Sequence, residues 1–429
     1  MLAEGSTTSP LAPKDSTSYN AAQLSSPQRR ASPRAITTNL ITGGLGSAIF
    51  SLPWSVAGSS VIPSVFIIAG VLLLNAWTIG ILVRAAERHQ EFNLGSLLAR
   101  LPGQLGGALQ ILANGLVWVS CFMCLVSYMI VIHDSSVRFV AGTTLEVRSH
   151  LITLASALVL PICFLNQQRL ESTSSVAILI NIYLFVLIGV LYGRSRAHST
   201  LPEHTCWIGS TVRGEFALMS VMFQAVIVQM CVLPMYQELE DRSPRKMDRI
   251  VAASFSVLFI IFVGFSMLGY LYVGPGVQSN VLSDLPAGPY ESVAQIGTAL
   301  VVACVYPILV YPMIAPLTDM QARSLIDRTR RTPADCLVPV AKLMIVVLVA
   351  IAASFIESLG FVNTFNGAMS ACFFVAIVPS VVGYFLLDGG VFHKVSLASL
   401  LVFGMVAGVM GLTYTGNYVE DLRCHLYAS

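Results

Sequence analysis

The segment Thr42-Gly43-Gly44-Leu45-Gly46-Ser47 places three glycines and two hydroxyls inside an apolar run, and Ala48 to Trp54 (AIFSLPW) follows directly. Each glycine costs a helix about 1 kcal/mol relative to alanine. Such a cluster serves either close packing of helices through small residues or a broken helix whose freed amides and carbonyls hold a ligand. Spacing alone leaves both open. A second interruption lies in Phe223 to Leu239 (FQAVIVQMCVLPMYQEL), where Gln224 and Gln229 sit among apolar residues ahead of Pro234. An unpaired side-chain amide in an apolar medium is costly, so two in one run require hydrogen bonds between helices or a polar interior with a bound ligand.

Groups able to titrate are scarce. All seven histidines fall in loops or at the edges of apolar runs, and no Asp or Glu lies near the middle of one. Glu215, Glu291 and Glu357 stand at run ends, as solvated interfacial carboxylates do. Glu238 ends the second interrupted run and reads as a gate or as an ion-pair partner of Arg242. Cys121 and Cys124 have C-x-x-C spacing but no βαβ context, which favours packing cysteines over redox or metal chemistry. Ser120, Ser127 and Tyr128 share one helical face, which lines a cavity or bonds to a neighbouring helix. Asn363, Thr364 and Asn366 lie close to one end of their run, where water access is cheap, and read as a vestibule.

These residues must be positioned by helices in a bilayer. Hydrophobic residues make up 55% of the 429, charged residues only 11%, and mean hydropathy is +0.76. Soluble domains carry about 25% charged residues. The charges cluster, leaving continuous apolar stretches of the length that crosses about 30 Å of hydrocarbon as a helix. They lack the alternation of a membrane β-barrel. Eleven runs are predicted, at 35–57, 62–83, 107–132, 151–165, 173–193, 215–237, 250–273, 292–317, 337–357, 360–387 and 395–414. With the amino terminus in the cytosol, eighteen of the 24 Lys and Arg residues fall inside, counting Lys342 near the inner end of its run, and six outside. That bias supports the orientation and the count. Residues 1–34 are rich in Ser, Pro, Ala and Thr and are expected to form a disordered cytosolic tail. No N-x-S/T sequon occurs in the outer loops, and Cys206 and Cys424 both fall outside, where a disulfide is permitted.

The interrupted runs are the first and the sixth, the leading members of two sets of five, and matching interruptions point to an inverted repeat with a site between the halves. The residues here resemble a family. The pattern GSAIFSLPW in run 1, VLPMYQEL followed by RSPRKM after run 6, YPILVYP at 306–312 and SLGFVNTFNGAMSACFFVAIVPS at 358–380 look like the amino acid/auxin permease family of amino acid transporters, in register from Ile36 to Leu387.

The resemblance implies an all-α polytopic transporter of about eleven helices. Its first repeat would cover 35–193, an outer loop 194–214, its second repeat 215–387, and an added helix 388–414, with a short outer tail at 415–429. Amides of the glycine-rich break at Thr42, Gly43, Gly44, Gly46 and Ser47 would hold a substrate carboxylate. Gln224, Ala225 and Gln229 would face its amino group or side chain. Ser120 and Tyr306 complete the expected substrate set, while Pro53, Pro234, Tyr236 and Glu238 belong to the motifs and gates. Sodium-coupled members carry an Asn and a Thr that bind the ion, and the matching positions here are Thr42 and Val305. Val305 offers no oxygen, which disfavours sodium. Thr42 is instead similar to the proton-coupled branch, and Gln229 stands where many sodium-coupled members have His.

The expectation is a secondary transporter, not an enzyme, that moves neutral amino acids by alternating access; the coupling ion stays open, with a proton favoured over sodium. An amino-acid-sensing receptor on the same fold, or a carrier of another small amino-acid-like solute, is the alternative. No cofactor, metal or nucleic acid partner is expected. The partners are an amino acid and the lipid bilayer, with plasma membrane and vacuolar or lysosomal membrane equally open.

Overall fold

Ser-Pro pairs start two of the helices. Ser32 accepts a hydrogen bond from the Ala35 amide with Pro33 in the first turn, and Ser243 does the same for Lys246 with Pro244. Proline suits that turn because its missing N–H has no helical partner there. In the computed structural model of the chain the described residues are 31–164, 173–198, 205–209, 211–326 and 333–415. The expected tail therefore lies outside them up to residue 30. Its boundary moves, because Ala31 pairs with Leu239 in an isolated parallel bridge and the first helix starts at Pro33.

The first run divides into α1 (Pro33–Gly44), a 3-10 segment (Ser47–Ser51) and α2 (Leu52–Ser59). Then come α3 (Val61–His89), the short α4 (Leu94–Ala99), α5 (Leu105–Ser136), α6 (Arg148–Ile162) and α7 (Thr173–Ala197). The sixth run is α8 (Val212–Ala225) and α9 (Val232–Glu238), separated by a non-helical stretch. Beyond it lie α10 (Pro244–Val273), α11 (Pro289–Ile326) and α12 (Pro333–Phe355). A continuous element follows: α13 (Leu359–Ser370), a π-helical turn (Ala371–Ile377) and α14 (Val378–Leu386). The last is α15 (Val391–Thr415).

Among the described residues, eight helices are long and apolar enough to cross a membrane, and nine if the bent pair at α1 and Ser47–Ser59 is one span. The helix α6, with 15 residues, and the α8–α9 pair fall short of that length, so length and hydropathy define fewer crossings than the eleven expected. Large apolar side chains such as Phe66, Leu73, Ile111, Ile260 and Phe355 stay exposed around the bundle. In water such a surface would aggregate. Here it faces lipid, and the chain is a multi-pass integral membrane protein.

Glycines set the closest approaches. A methyl added at Gly214 would overlap the Gly58 carbonyl, and one at Gly367 the Ser220 carbonyl, so α2, α8 and α13 meet backbone to backbone. Asn363 reinforces this seam, donating to Ser51 Oγ at 2.9 Å and accepting from Ser127 Oγ at 3.1 Å. Asn363, Thr364 and Asn366 are 1–3% exposed, so the expected vestibule is a sealed polar layer in this conformation.

Ionic contacts gather at the two ends. At the Ala31 end, Arg84 pairs with Asp248 at 3.0 Å, Arg88 with Asp388, and Arg242 with Glu87 at 3.4 Å. At the opposite end, the Arg138 guanidinium donates to the carbonyls of Leu285 and Pro286 in the loop between α10 and α11.

Asp284 of that loop accepts from the Gln278 amide at 2.9 Å, yet burial pushes its carboxyl from an ordinary 3.8 up to about 6. A raised acid favours its protonated form in the folded loop. The stabilisation is therefore full below about pH 4 and lost as pH rises through about 6. Amides of 276–285 are expected to exchange more slowly at pH 4.5 than at 7.5, after correction for intrinsic rates. Asp284→Asn should erase that difference; its persistence would place the effect on another group.

Candidate functional site

The α1 helix ends because Gly43, Gly44 and Gly46 give the chain no reason to stay helical. The Leu45 amide closes its last turn on the Ile41 and Thr42 carbonyls. The chain resumes after Gly46 with Ser47–Ser59, bent by 43° from α1. No side chain caps this second half. The C-terminus of one half-helix and the N-terminus of the other therefore meet in one gap. The first presents carbonyls with partial negative charge and the second presents amides with partial positive charge.

That gap opens onto a cavity of about 420 Å³. Thr42, Gly43, Gly46 and Ser47 line it, so four of the five expected positions in the break come together there. Gly44 does not: it turns to α10, where an added methyl would meet Leu258 at 2.8 Å. The far wall is apolar, built by Val301, Val302, Val305 and Leu309 of α11 with Ile180 of α7. Polar points are few: Asn39, Asn181, Thr298 and Tyr128. None of the described lining residues carries a charge. Asn39 and Gly43 are exposed at the mouth while Ser47 and Phe50 are buried, so the cavity opens toward the Ala31 end.

The other expected residues lie elsewhere. Gln224, Ala225 and Gln229 surround the second break but do not line the cavity. Gln229 is fully buried and donates to Asn75 Oδ1 at 2.7 Å and Thr78 Oγ1 at 3.2 Å, bolting the break to α3. Gln224 donates to Cys124 Sγ at 3.1 Å, and Asn366 donates to the Ser120 carbonyl at 3.2 Å. Ser120 thus belongs to this layer between helices, and Tyr306 is buried away from the cavity. Of the second break and its flanks, only Met235 reaches the site.

Pro53 packs against Gly269 of α10. Pro234 and Glu238 are exposed. The expected Glu238–Arg242 pair is absent, because Arg242 is drawn to Glu87, to Gln90 Oε1 at 3.0 Å and over the Phe92 ring at 4.2 Å. Tyr236 donates to the same Glu87 at 2.9 Å, which ties α9 to α3 at the Ala31 end. Cys206 is disulfide-bonded, and Cys424 lies outside the described residues.

The wall contributed by α7 was not anticipated, and of the α11 wall only Val305 had been singled out. Asn181 on α7 and Thr298 on α11 are the polar signals that point to them, each inside an apolar run.

A lipid-embedded bundle with a helix broken in mid-span over a small uncharged cavity is the architecture of a secondary transporter. Two solved structures are similar in overall fold: a manganese transporter of Eremococcus coleocola (TM-score 0.52, 11% identity, 96% of this chain and 92% of that one) and Mhp1 in its inward-facing conformation (TM-score 0.55, 14% identity, 90% and 91%). Identities this low show the fold alone. The sequence fixes the group more narrowly: residues 29–417 match the family model described as transmembrane amino acid transporter protein, and the chain belongs to that family. Curated relatives include a sodium-coupled neutral amino acid symporter 2 of Danio rerio, 22% identical over 80% of this chain and 73% of the relative. The amino acid transporter AVT6E of Arabidopsis thaliana is 22% identical over 67% and 65%.

Proposed function

We propose that the chain carries neutral amino acids by alternating access, with a proton rather than sodium as the coupling ion. The observation that carries this reading is the uncharged cavity at the α1 break. A zwitterion finds both of its partners there: carbonyls at the end of α1 for the ammonium, and the uncapped first amides of Ser47–Ser59 for the carboxylate. Its side chain would lie along Val301, Val302, Val305 and Leu309. A charged side chain would be desolvated without a counter-ion, at a cost of about 3 kcal/mol or more.

Alternating access is supported by the asymmetry of the bundle, which is closed by the glycine seam at one end and open beside Asn39 at the other. The two breaks, in α1–α2 and α8–α9, fit two halves of five helices each, with α15 added. The Danio rerio relative is named as sodium-coupled. Val305, a cavity residue without a side-chain oxygen, argues that this chain differs.

The test is uptake into proteoliposomes of a labelled neutral amino acid, with proton and sodium gradients imposed separately and unlabelled competitors added. Leucine, methionine and phenylalanine are expected to compete, lysine and glutamate to fail, and the proton gradient alone to drive accumulation. Equal competition by lysine or glutamate would remove the neutral-substrate reading, and sodium-driven uptake would remove the proton.

A further inference from the structure

Among the described residues, His133 and Glu291 are the only His, Asp, Glu, Lys or Arg side chains that are buried, at 8% and 7% exposure. Glu291 folds back against Gly288 in the first turn of its own helix, where free amides favour a carboxylate. His133 is different. It stands in the last turn of α5, and its Nδ1 lies 2.9 Å from Asp134 Oδ1 and 3.3 Å from Arg148 Nη1.

Those two contacts demand opposite states of one nitrogen. A carboxylate needs a hydrogen on Nδ1, whereas a guanidinium, which only donates, needs its lone pair. The neutral ring with its hydrogen on Nε2 satisfies Arg148 and forgoes Asp134, and with its hydrogen on Nδ1 it does the reverse; the imidazolium donates to Asp134 and adds a positive charge that repels Arg148. The Nε2 atom is buried without a hydrogen-bond partner. Protonation of either tautomer therefore favours Asp134 and works against Arg148.

Both neighbours are structural hubs. Arg148, at the start of α6, also donates to the carbonyls of Ala353 and Ile356 at the end of α12, and it feels the charge of Glu357. Asp134 Oδ2 accepts from Asn280 in the loop between α10 and α11, at 2.9 Å. Other charged groups at this end are Arg138, held by the Leu285 and Pro286 carbonyls, and Asp284, held by the Gln278 amide. His150, at the start of α6, bonds the Thr144 carbonyl. The imidazole thus sits where α5, α6, the end of α12 and the α10–α11 loop meet, at the end of the bundle away from the cavity mouth.

We infer that His133, clamped between Asp134 and Arg148, is the proton-binding site through which the proton gradient acts on the closed end of the carrier. This rests on the proton-coupled reading above. Histidine is the side chain whose ordinary charge change spans pH 5 to 8. Loading a proton sets the imidazolium against Asp134, repels Arg148 and so loosens α6 against α5; losing it removes that repulsion.

The test compares wild type, His133→Gln and His133→Asn in proteoliposomes by two assays. One is counterflow of labelled substrate at equal pH on both sides, and the other is accumulation driven by an inward proton gradient. Both variants should keep counterflow within about twofold and lose gradient-driven accumulation, since a neutral amide bonds but does not titrate. Asp134→Asn should shift the pH midpoint of uptake downward, because the imidazolium loses its counter-ion. Accumulation at the wild-type level in either His133 variant, or an unmoved midpoint in Asp134→Asn, overturns the assignment. Wild type that exchanges substrate but ignores the proton gradient removes both the site and the coupling ion, whereas wild type without counterflow defeats the carrier reading itself.

Discussion

Gly46→Leu is expected to abolish uptake while leaving expression and thermal stability near wild type. Gly46 is in extended backbone (φ −80°, ψ −167°) that any residue adopts, and a Cβ built there meets nothing within 4 Å. The space it points into is the cavity. A leucine side chain would fill the ground between the two half-helix termini, where the carboxylate is proposed to bind. A steric loss of about 3 kcal/mol corresponds to roughly a hundredfold fall in affinity. Gly46→Ala, which adds one carbon, should weaken uptake without ending it. Wild-type uptake by Gly46→Leu would take the α1 break out of the mechanism.

Gly367→Ala carries the second large effect, through closure instead of binding. The added methyl would overlap the Ser220 carbonyl, a backbone atom that cannot swing aside as a side-chain tip can. The α8 and α13 helices must then separate, at about 1–3 kcal/mol or more. The seam they form closes the end of the bundle opposite the cavity mouth. Uptake should fall about tenfold or more, with a lowered melting temperature. Gly115→Ala is the control, since nothing lies within 4 Å of a methyl there. Equal behaviour of the two variants would mean that α8 and α13 do not need their close approach.

The break in α1 was legible because glycine density reports directly on backbone cost. The break in α8–α9 was legible for the same kind of reason, as polar residues in an apolar run, but its role was not. Gln229 turns to Asn75 and Thr78, more than a hundred residues earlier, and nothing local to Phe223 to Leu239 encodes that partner. The apolar wall of the cavity was visible only at Val305, through its match to an ion-binding Thr; Val301 looks the same in sequence whether it faces lipid, a neighbouring helix or a substrate. His133 was set at the edge of a run because hydropathy ends a span at the first charged residues. The helix runs on to Ser136, and Arg148 and Asn280 supply the polar contacts that keep His133 and Asp134 in the fold. The misplaced Glu238–Arg242 pair has a similar origin: proximity in sequence favoured it, and Glu87 with Phe92 offered Arg242 more.

The cavity at the α1 break is proposed to bind an amino acid and release it across the membrane. Counterflow measures this most directly: proteoliposomes loaded with unlabelled leucine, no ion gradient, and a trace of labelled leucine outside. Wild type should accumulate label transiently above equilibrium and Gly46→Leu should not. Saturable binding of leucine by wild type without any exchange would contradict transport through this cavity and leave a receptor on a transporter fold.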